Sequence, residues 1–223
     1  MKLFRKHGIG ELSRELPREE LKRKGRLLII DDEKPMLIDD LKKSGFAVDH
    51  YEDITKNNIN IVESNMYDLI LLDFGNVGRE FGDDQGLSLL RHIKRVSPST
   101  IVYAYTAKAL SASQSDFYKL SDGVLRKDAG IAESMEKIED GLRSALGVAN
   151  IWQGVLSSLR IKPGSEDDKK LQHRVVLASK SKKKMDGLKN EILVRVGYDP
   201  FNKIVMPLLG KLLEVALLKS IGL

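Results

Sequence analysis

The chain has 223 residues, 42% hydrophobic and 31% charged, with a net charge of +5 and no cysteine. The absence of thiols excludes disulfides and thiolate metal sites, and no apolar run approaches the ~20 residues that a membrane-spanning helix requires. What remains is a soluble globular protein, expected in the cytoplasm, with one large domain or a domain plus an appendage.

The charge is unevenly spread. Residues 1–25 hold 8 basic and 4 acidic side chains, residues 26–149 hold 15 and 21, and residues 150–223 hold 14 and 7. An acidic middle is therefore flanked by two basic ends, each suited to an anionic partner or to the acidic middle itself. The basic start has no apolar core after it and is not expected to be a signal peptide. Leu12, Leu16 and Leu21 form only a thin stripe, interrupted by Pro17. Residues 1–25 are thus expected to be a basic amino-terminal arm, partly helical and exposed.

From Arg26 the chain alternates. Arg26–Asp31 reads as a strand and Pro35–Ser44 as a helix, with Pro35 near its start. Phe46–Tyr51 is a short strand, and Asp53 is expected to cap a helix running through Val62. Leu69 to Leu72 is a continuous apolar run, the mark of a strand buried on both faces of a parallel sheet, and it stops at Asp73. A helix follows from Gly86, then a strand from Ile101 to Thr106, a helix to about Leu120, and a strand from Gly123 to Lys127. Ile131, Met135, Ile138, Leu142 and Leu146 then form one face of an amphipathic helix. Five strands alternating with five helices predict an α/β fold, a five-stranded doubly wound parallel sheet.

The strand ends carry the chemistry. Asp31 and Asp32 follow the first strand, Asp73 the third, Thr106 the fourth and Lys127 the fifth. In open α/β sheets ligands bind at these carboxyl ends. Three clustered carboxylates repel one another and call for a hard divalent cation, and Mg²⁺ takes oxygen ligands of this kind. A carboxylate can also act as a nucleophile toward a phosphoryl group.

In this order and placement, residues 26–147 resemble the receiver domains of two-component response regulators. The resemblance implies a flavodoxin-like strand order of 2-1-3-4-5 and no turnover enzyme. It implies Asp73 as phosphoacceptor, with Thr106 and Lys127 contacting the phosphoryl oxygens. Mg²⁺ would be held by Asp31, Asp32, Asp73 and the backbone carbonyl of Gly75. The implied partner is a sensor histidine kinase or phosphotransfer protein. Three features depart from the family pattern. Asp128 stands where proline is usual, and Val124 stands where an aromatic switch residue is expected, with Tyr103 or Tyr105 as substitutes. The loop 74–85 is also longer than usual, and it suits either a lid or partner contact or a plain surface insertion.

Residues 148–223 read as an all-α output or interaction domain. Ser165–Asp168 has capping-box character, opening a helix expected to reach Val196 with Lys180 and Lys182–Lys184 on a basic face. Asp199 and Pro200 are expected to open a last helix, from Phe201 to about Ile221, that is almost wholly apolar. Its circumference exceeds what one partner helix covers, so a homodimer or a helical protein partner through 165–223 is expected, with Leu209 and Leu213 in the interface. Two alternatives stand beside this signalling reading. One is a DNA-binding transcriptional regulator using the basic helices, and the other a receiver-like scaffold that is never phosphorylated. His173 lacks any supporting phosphotransfer motif.

Overall fold

The computed structural model describes residues 8–13, 15–107, 115–198 and 201–220, excluding the side chains of 182, 203 and 215–220. The chain divides into two units, one spanning Leu16–Leu146 and the other combining Met1–Glu15 with Gly147–Leu223. The residues expected to form a separate arm are therefore shared between the two. The reason is their apolar stripe. Ile9 and Leu12 are buried in the core of the helical unit, whereas Leu16 and Leu21 are buried in the sheet unit. Helix α1 (Arg18–Lys24) is held there by an Arg18–Glu139 ion pair at 2.6 Å, and Arg143 donates to the Leu16 carbonyl at 3.0 Å.

The sheet unit contains β1 (Arg26–Ile30), β2 (Ala47–Tyr51), β3 (Leu69–Leu72), β4 (Ile101–Thr106) and β5 (Gly123–Arg126). All pairings are parallel and the order is β2-β1-β3-β4-β5. Between the strands lie α2 (Leu37–Lys43), α3 (Asn60–Glu63), α4 (Gly86–Val96), α5 (Ser115–Leu120) and, after β5, α6 (Ile131–Ala145). The part of the α5 expectation that falls on residues 108–114 lies outside the described residues.

The two faces of the sheet follow from the strand period of two. Leu28, Ile30, Ile70 and Leu72 point to one core with Leu90, Ile93 and Phe117. Leu27, Ile29, Leu69 and Leu71 point to the other with Ile38, Leu41, Ile138 and Leu142. Both faces are covered, which is why β1 and β3 read as unbroken apolar runs.

Two local expectations are corrected. Helix α3 has only four residues, and Asp53 caps no helix: its Oδ1 accepts from the Ile54 amide at 2.7 Å and from the Gly78 amide at 2.5 Å. It pins the long loop instead. On α6, Ile131 is 43% exposed while Met135 packs against the core and Ile138 and Leu142 are fully buried, so the core face begins about one turn into the helix.

The helical unit contains a 3-10 turn (Ile9–Leu12), α7 (Val148–Ser158), α8 (Glu166–Ala178) and α9 (Lys182–Val196). A π-helical turn (Phe201–Val205) and α10 (Met206–Ser220) complete it. The single helix expected from 165 to 196 is two. The Ser179 hydroxyl donates back to the Val176 carbonyl at 2.8 Å, and Ser181 is extended, so serines end one helix and start the next. The start of α8 departs slightly from a capping box. Ser165 Oγ accepts from the Asp168 amide at 3.2 Å, but the Asp168 carboxylate accepts from Gly164 N–H at 2.7 Å and not from Ser165.

Among the described side chains, the apolar face of the last helix is packed within the chain. Val205, Leu208, Leu209 and Leu212 are buried with Trp152, Val155 and Leu12 in one core. Leu209, at 1% exposure, is thus a core residue and not the interface residue expected from the sequence. Asp199, Pro200 and Ile221 lie outside the described residues. No helix among the described residues is long and apolar enough to cross a membrane.

Candidate functional site

The ladder hydrogen bonds run one residue beyond the strands and so bring the strand-end side chains level. Asp31 N–H donates to the Tyr51 carbonyl at 3.1 Å, Asp73 N–H to the Ile30 carbonyl at 2.9 Å, and Lys127 N–H to the Thr106 carbonyl at 2.8 Å. With Ile30 opposite Leu72, the two aspartates that follow them face one another. Oxygens of Asp31, Asp32 and Asp73 lie within 4.8 Å of one another. Asp31 is buried at 1% exposure, Asp73 is half-buried and Asp32 is exposed.

The Lys127 ammonium reaches Asp31 Oδ2 at 2.7 Å and Asp73 Oδ2 at 2.9 Å. The other Asp73 oxygen accepts from the Phe74 amide at 2.7 Å, so both carboxylate oxygens are oriented. Burial raises the Asp73 pKa, and the Asp31 charge adds to the rise. The Lys127 hydrogen bond and charge oppose it without cancelling it. For Lys127, burial works against the charged form, but hydrogen bonds to Asp31 and Asp73 outweigh it and hold the pKa above its ordinary value. The ammonium also sits 5.4 Å from the centre of the Tyr105 ring. That phenol, buried and beside Asp31, has its pKa pushed up to about 12.

Three carboxylates against one ammonium leave two formal negative charges at the rim, two of the carboxylates at least partly open to solvent. This donor set, all oxygen and held at strand ends, fits a hard divalent cation such as Mg²⁺. Gly75 follows two residues after Asp73, and the position a side chain would take there is open space. A cleft of about 390 Å³ opens beside the cluster, lined by Asp31, Tyr105 and Lys127 and by Met36, which is 91% exposed.

The structure therefore brings Asp31, Asp32, Asp73 and Lys127 together. Thr106 ends the neighbouring strand, buried at 5% exposure, with the Tyr118 hydroxyl 3.5 Å from its own. Val124 packs against the core and Asp128 pairs with Arg126 at 2.7 Å, so neither faces the acidic cluster as a contact.

Three residues that sequence reading did not single out support the site. Asn76 donates from Nδ2 to Asp32 at 2.8 Å, and its φ of 60° is the left-handed conformation that asparagine tolerates better than most residues. An asparagine beside glycine in a loop was the available signal. Tyr118 reaches Thr106 from α5, a contact that spans 12 positions and leaves no local trace. Gly86 packs on the Asp73 backbone, where an added Cβ would stand 2.4 Å from the Asp73 carbonyl oxygen.

Solved receiver domains resemble the sheet-bearing part of this chain. One is a CheY-like response regulator receiver domain from Methanospirillum hungatei JF-1, 21% identical with a TM-score of 0.44, covering 54% of this chain and 95% of that one. A two-component response regulator from Clostridium difficile is 24% identical, with a TM-score of 0.45, covering 53% and 96%. The receiver domain of NtrX from Brucella abortus is 18% identical, with a TM-score of 0.44, covering 52% and 97%. No family model and no curated protein matches the chain.

Proposed function

We propose that this chain is a response regulator: a signalling module, not a turnover enzyme, that accepts a phosphoryl group on Asp73. The observation that carries the reading is the Lys127 ammonium bridging Asp31 and Asp73 within a three-carboxylate cluster at the carboxyl edge of a parallel sheet. Sequence order and spatial contact agree on the same residues.

In the proposed step an Asp73 carboxylate oxygen forms a bond to phosphorus as the phosphorus–nitrogen bond of a phosphohistidine breaks. The electron pair returns to the ring nitrogen, leaving a neutral imidazole whose other nitrogen keeps its proton. Asp31, Asp32, Asp73 and the Gly75 carbonyl are the residues that would hold Mg²⁺, which when bound neutralises charge on the transferred group. Lys127 contributes a point charge to a phosphoryl oxygen. Thr106 contributes a hydroxyl donor, and Tyr118 follows its movement. The donor is a sensor histidine kinase or phosphotransfer protein, and the helical unit passes the signal to a protein partner. The competing output is DNA contact through the exposed Lys180, Lys183 and Lys184 at the turn between α8 and α9. A salt-dependent mobility shift on duplex DNA separates the two outputs.

Incubation with acetyl phosphate and Mg²⁺ should add one phosphoryl group by mass, and Asp73→Asn should add none. Phosphate mapped to Asp83 or Asp84 would overturn the assignment. Mg²⁺ binding without any incorporation would favour a non-phosphorylated scaffold.

A further inference from the structure

A second cleft, of about 590 Å³, opens on the sheet unit between the turn Arg79–Phe81, one face of α4 and Lys56. It shares no lining residue with the acidic cluster, and its size suits a small-molecule ligand. One wall is built by Glu80 and Phe81 of the long loop 74–85. Three cations line it, Lys56, Arg91 and Arg95, against a single carboxylate, Glu80. That carboxylate accepts from the Lys56 backbone amide at 2.8 Å. Arg91 pairs with Asp84 at 2.7 Å, but both side chains are more than half exposed, and such pairs are weak and exchangeable.

Arg95 is the distinctive group. Its Nη2 lies 3.0 Å from His92 Nδ1, and His92 Nε2 lies 2.9 Å from Glu63 Oε1. A guanidinium only donates, so Nδ1 accepts and the ring's proton sits on Nε2, donated to Glu63. Among the described residues Arg95 thus meets a ring nitrogen, and its charge is not spent on a carboxylate. The Phe81 ring lies 5.3 Å from His92, tilted by 44°, and supplies an aromatic wall beside the cations. Ser88 adds a hydroxyl.

We propose that this cleft binds a nucleotide-class ligand, its phosphate on Lys56, Arg91 and Arg95 and its base against Phe81. Charge-assisted donors select the phosphate, with arginine matching its geometry, and the aromatic face favours a planar base. The inference stands independently of any chemistry at Asp73.

The test uses the full chain in EDTA, titrated with AMP and, separately, with inorganic phosphate. Binding is followed by calorimetry and by NMR of the His92 and Phe81 rings. AMP should shift both rings saturably and bind more tightly than phosphate. The double variant Arg91→Gln/Arg95→Gln should weaken AMP by about tenfold or more, and the exposed Lys56→Gln should act in the same direction. Phe81→Leu should weaken AMP but leave phosphate unchanged, and Asp73→Asn should change neither. No saturable shift, equal affinity for AMP and phosphate, or AMP binding that survives both cation changes would each overturn the proposal.

Discussion

The Lys127 ammonium donates to Asp73 Oδ2 at 2.9 Å from a strand end 54 residues away in sequence. The same nitrogen holds Asp31, which is almost completely buried. Removing the ammonium leaves clustered carboxylates in a partly desolvated pocket with no charge to offset them. Lys127→Met is therefore expected to destabilise the sheet unit by about 2 kcal/mol, below the range for fully buried pairs because Lys127 is 24% exposed. Mg²⁺ should recover much of that loss, since binding only to the folded state stabilises it by mass action. Thermal denaturation with Mg²⁺ and with EDTA checks both. A variant as stable as wild type in EDTA would show that the pair is not a structural element.

Gly86 links packing directly to the site. Its amide donates to the Phe74 carbonyl at 3.0 Å, and an added Cβ would press on the Asp73 carbonyl oxygen at 2.4 Å and on Phe74 Cα at 2.9 Å. Both neighbours are backbone, so the strain has to move the segment that carries Asp73. Gly86→Ala should cost about 1–3 kcal/mol and slow phosphoryl incorporation from acetyl phosphate. Gly210→Ala, with nothing within 4 Å of the added Cβ, is the control. It should be neutral or stabilising, as alanine is the better helix former by about 1 kcal/mol. Equal behaviour of the two variants would reject the argument.

How much was legible follows from how local each determinant is. Leu27–Ile30 and Leu69–Leu72 are covered on both faces, so their apolar runs announce the sheet directly, and the residue ending each run is placed by the ladder. Asp31 and Asp73 were readable for that reason, and Lys127 because it directly follows β5, where the ladder places it in the same way. The Asn76–Asp32 and Tyr118–Thr106 contacts were not, because each joins a loop or helix to a strand end through tertiary packing. Asp53 illustrates a competing partner. An aspartate ahead of an apolar segment resembles a helix cap, yet Gly78, 25 positions on, claims the same oxygen. The break at Ser179–Ser181 was hidden because apolar periodicity continues across it, with Val175 and Val176 before and Met185 and Leu188 after.

Asp168 gives the helical unit a pH dependence with a defined sign. Its carboxylate accepts from Trp152 Nε1 at 2.9 Å, Gln172 Nε2 at 2.8 Å and the Gly164 amide at 2.7 Å. Burial pushes the carboxyl pKa up, but these hydrogen bonds, with the Lys169 charge, outweigh it and hold the pKa below the usual carboxylate range. A lowered folded-state pKa means that the unfolded chain binds the proton more readily. The stabilisation is therefore complete above the unfolded value of about 3.9 and is lost as pH falls through the folded value. Trp152 is the only tryptophan in the chain and reports on this contact. Its emission should shift to the red in an acid transition below about pH 4. Asp168→Ala, leaving buried donors unsatisfied, should cost about 2–4 kcal/mol at neutral pH. An unchanged acid midpoint in Asp168→Asn would remove the carboxylate from the explanation.

Leu209 decides between two accounts of the apolar last helix. Read as a helix alone, α10 has more apolar surface than one neighbour covers, and self-association is the simplest remedy. In the folded unit, Leu208, Leu209 and Leu212 are each at most 1% exposed, packed with Trp152 and Val155 of α7 and Leu12 of the amino-terminal turn. These buried positions are thus covered by two other elements of the same unit. Leu209→Ala should open a cavity and lower the stability of the helical unit by about 2–4 kcal/mol. Because the lost contacts are within one chain, the loss should be independent of protein concentration. Denaturant titrations followed by Trp152 emission, at two protein concentrations a hundredfold apart, provide the measurement. If the loss vanished at the higher concentration, Leu209 would belong to an interface between chains. If it stayed constant, any partner surface on this unit would have to involve side chains other than Leu209, with the half-buried Leu213 the next to replace.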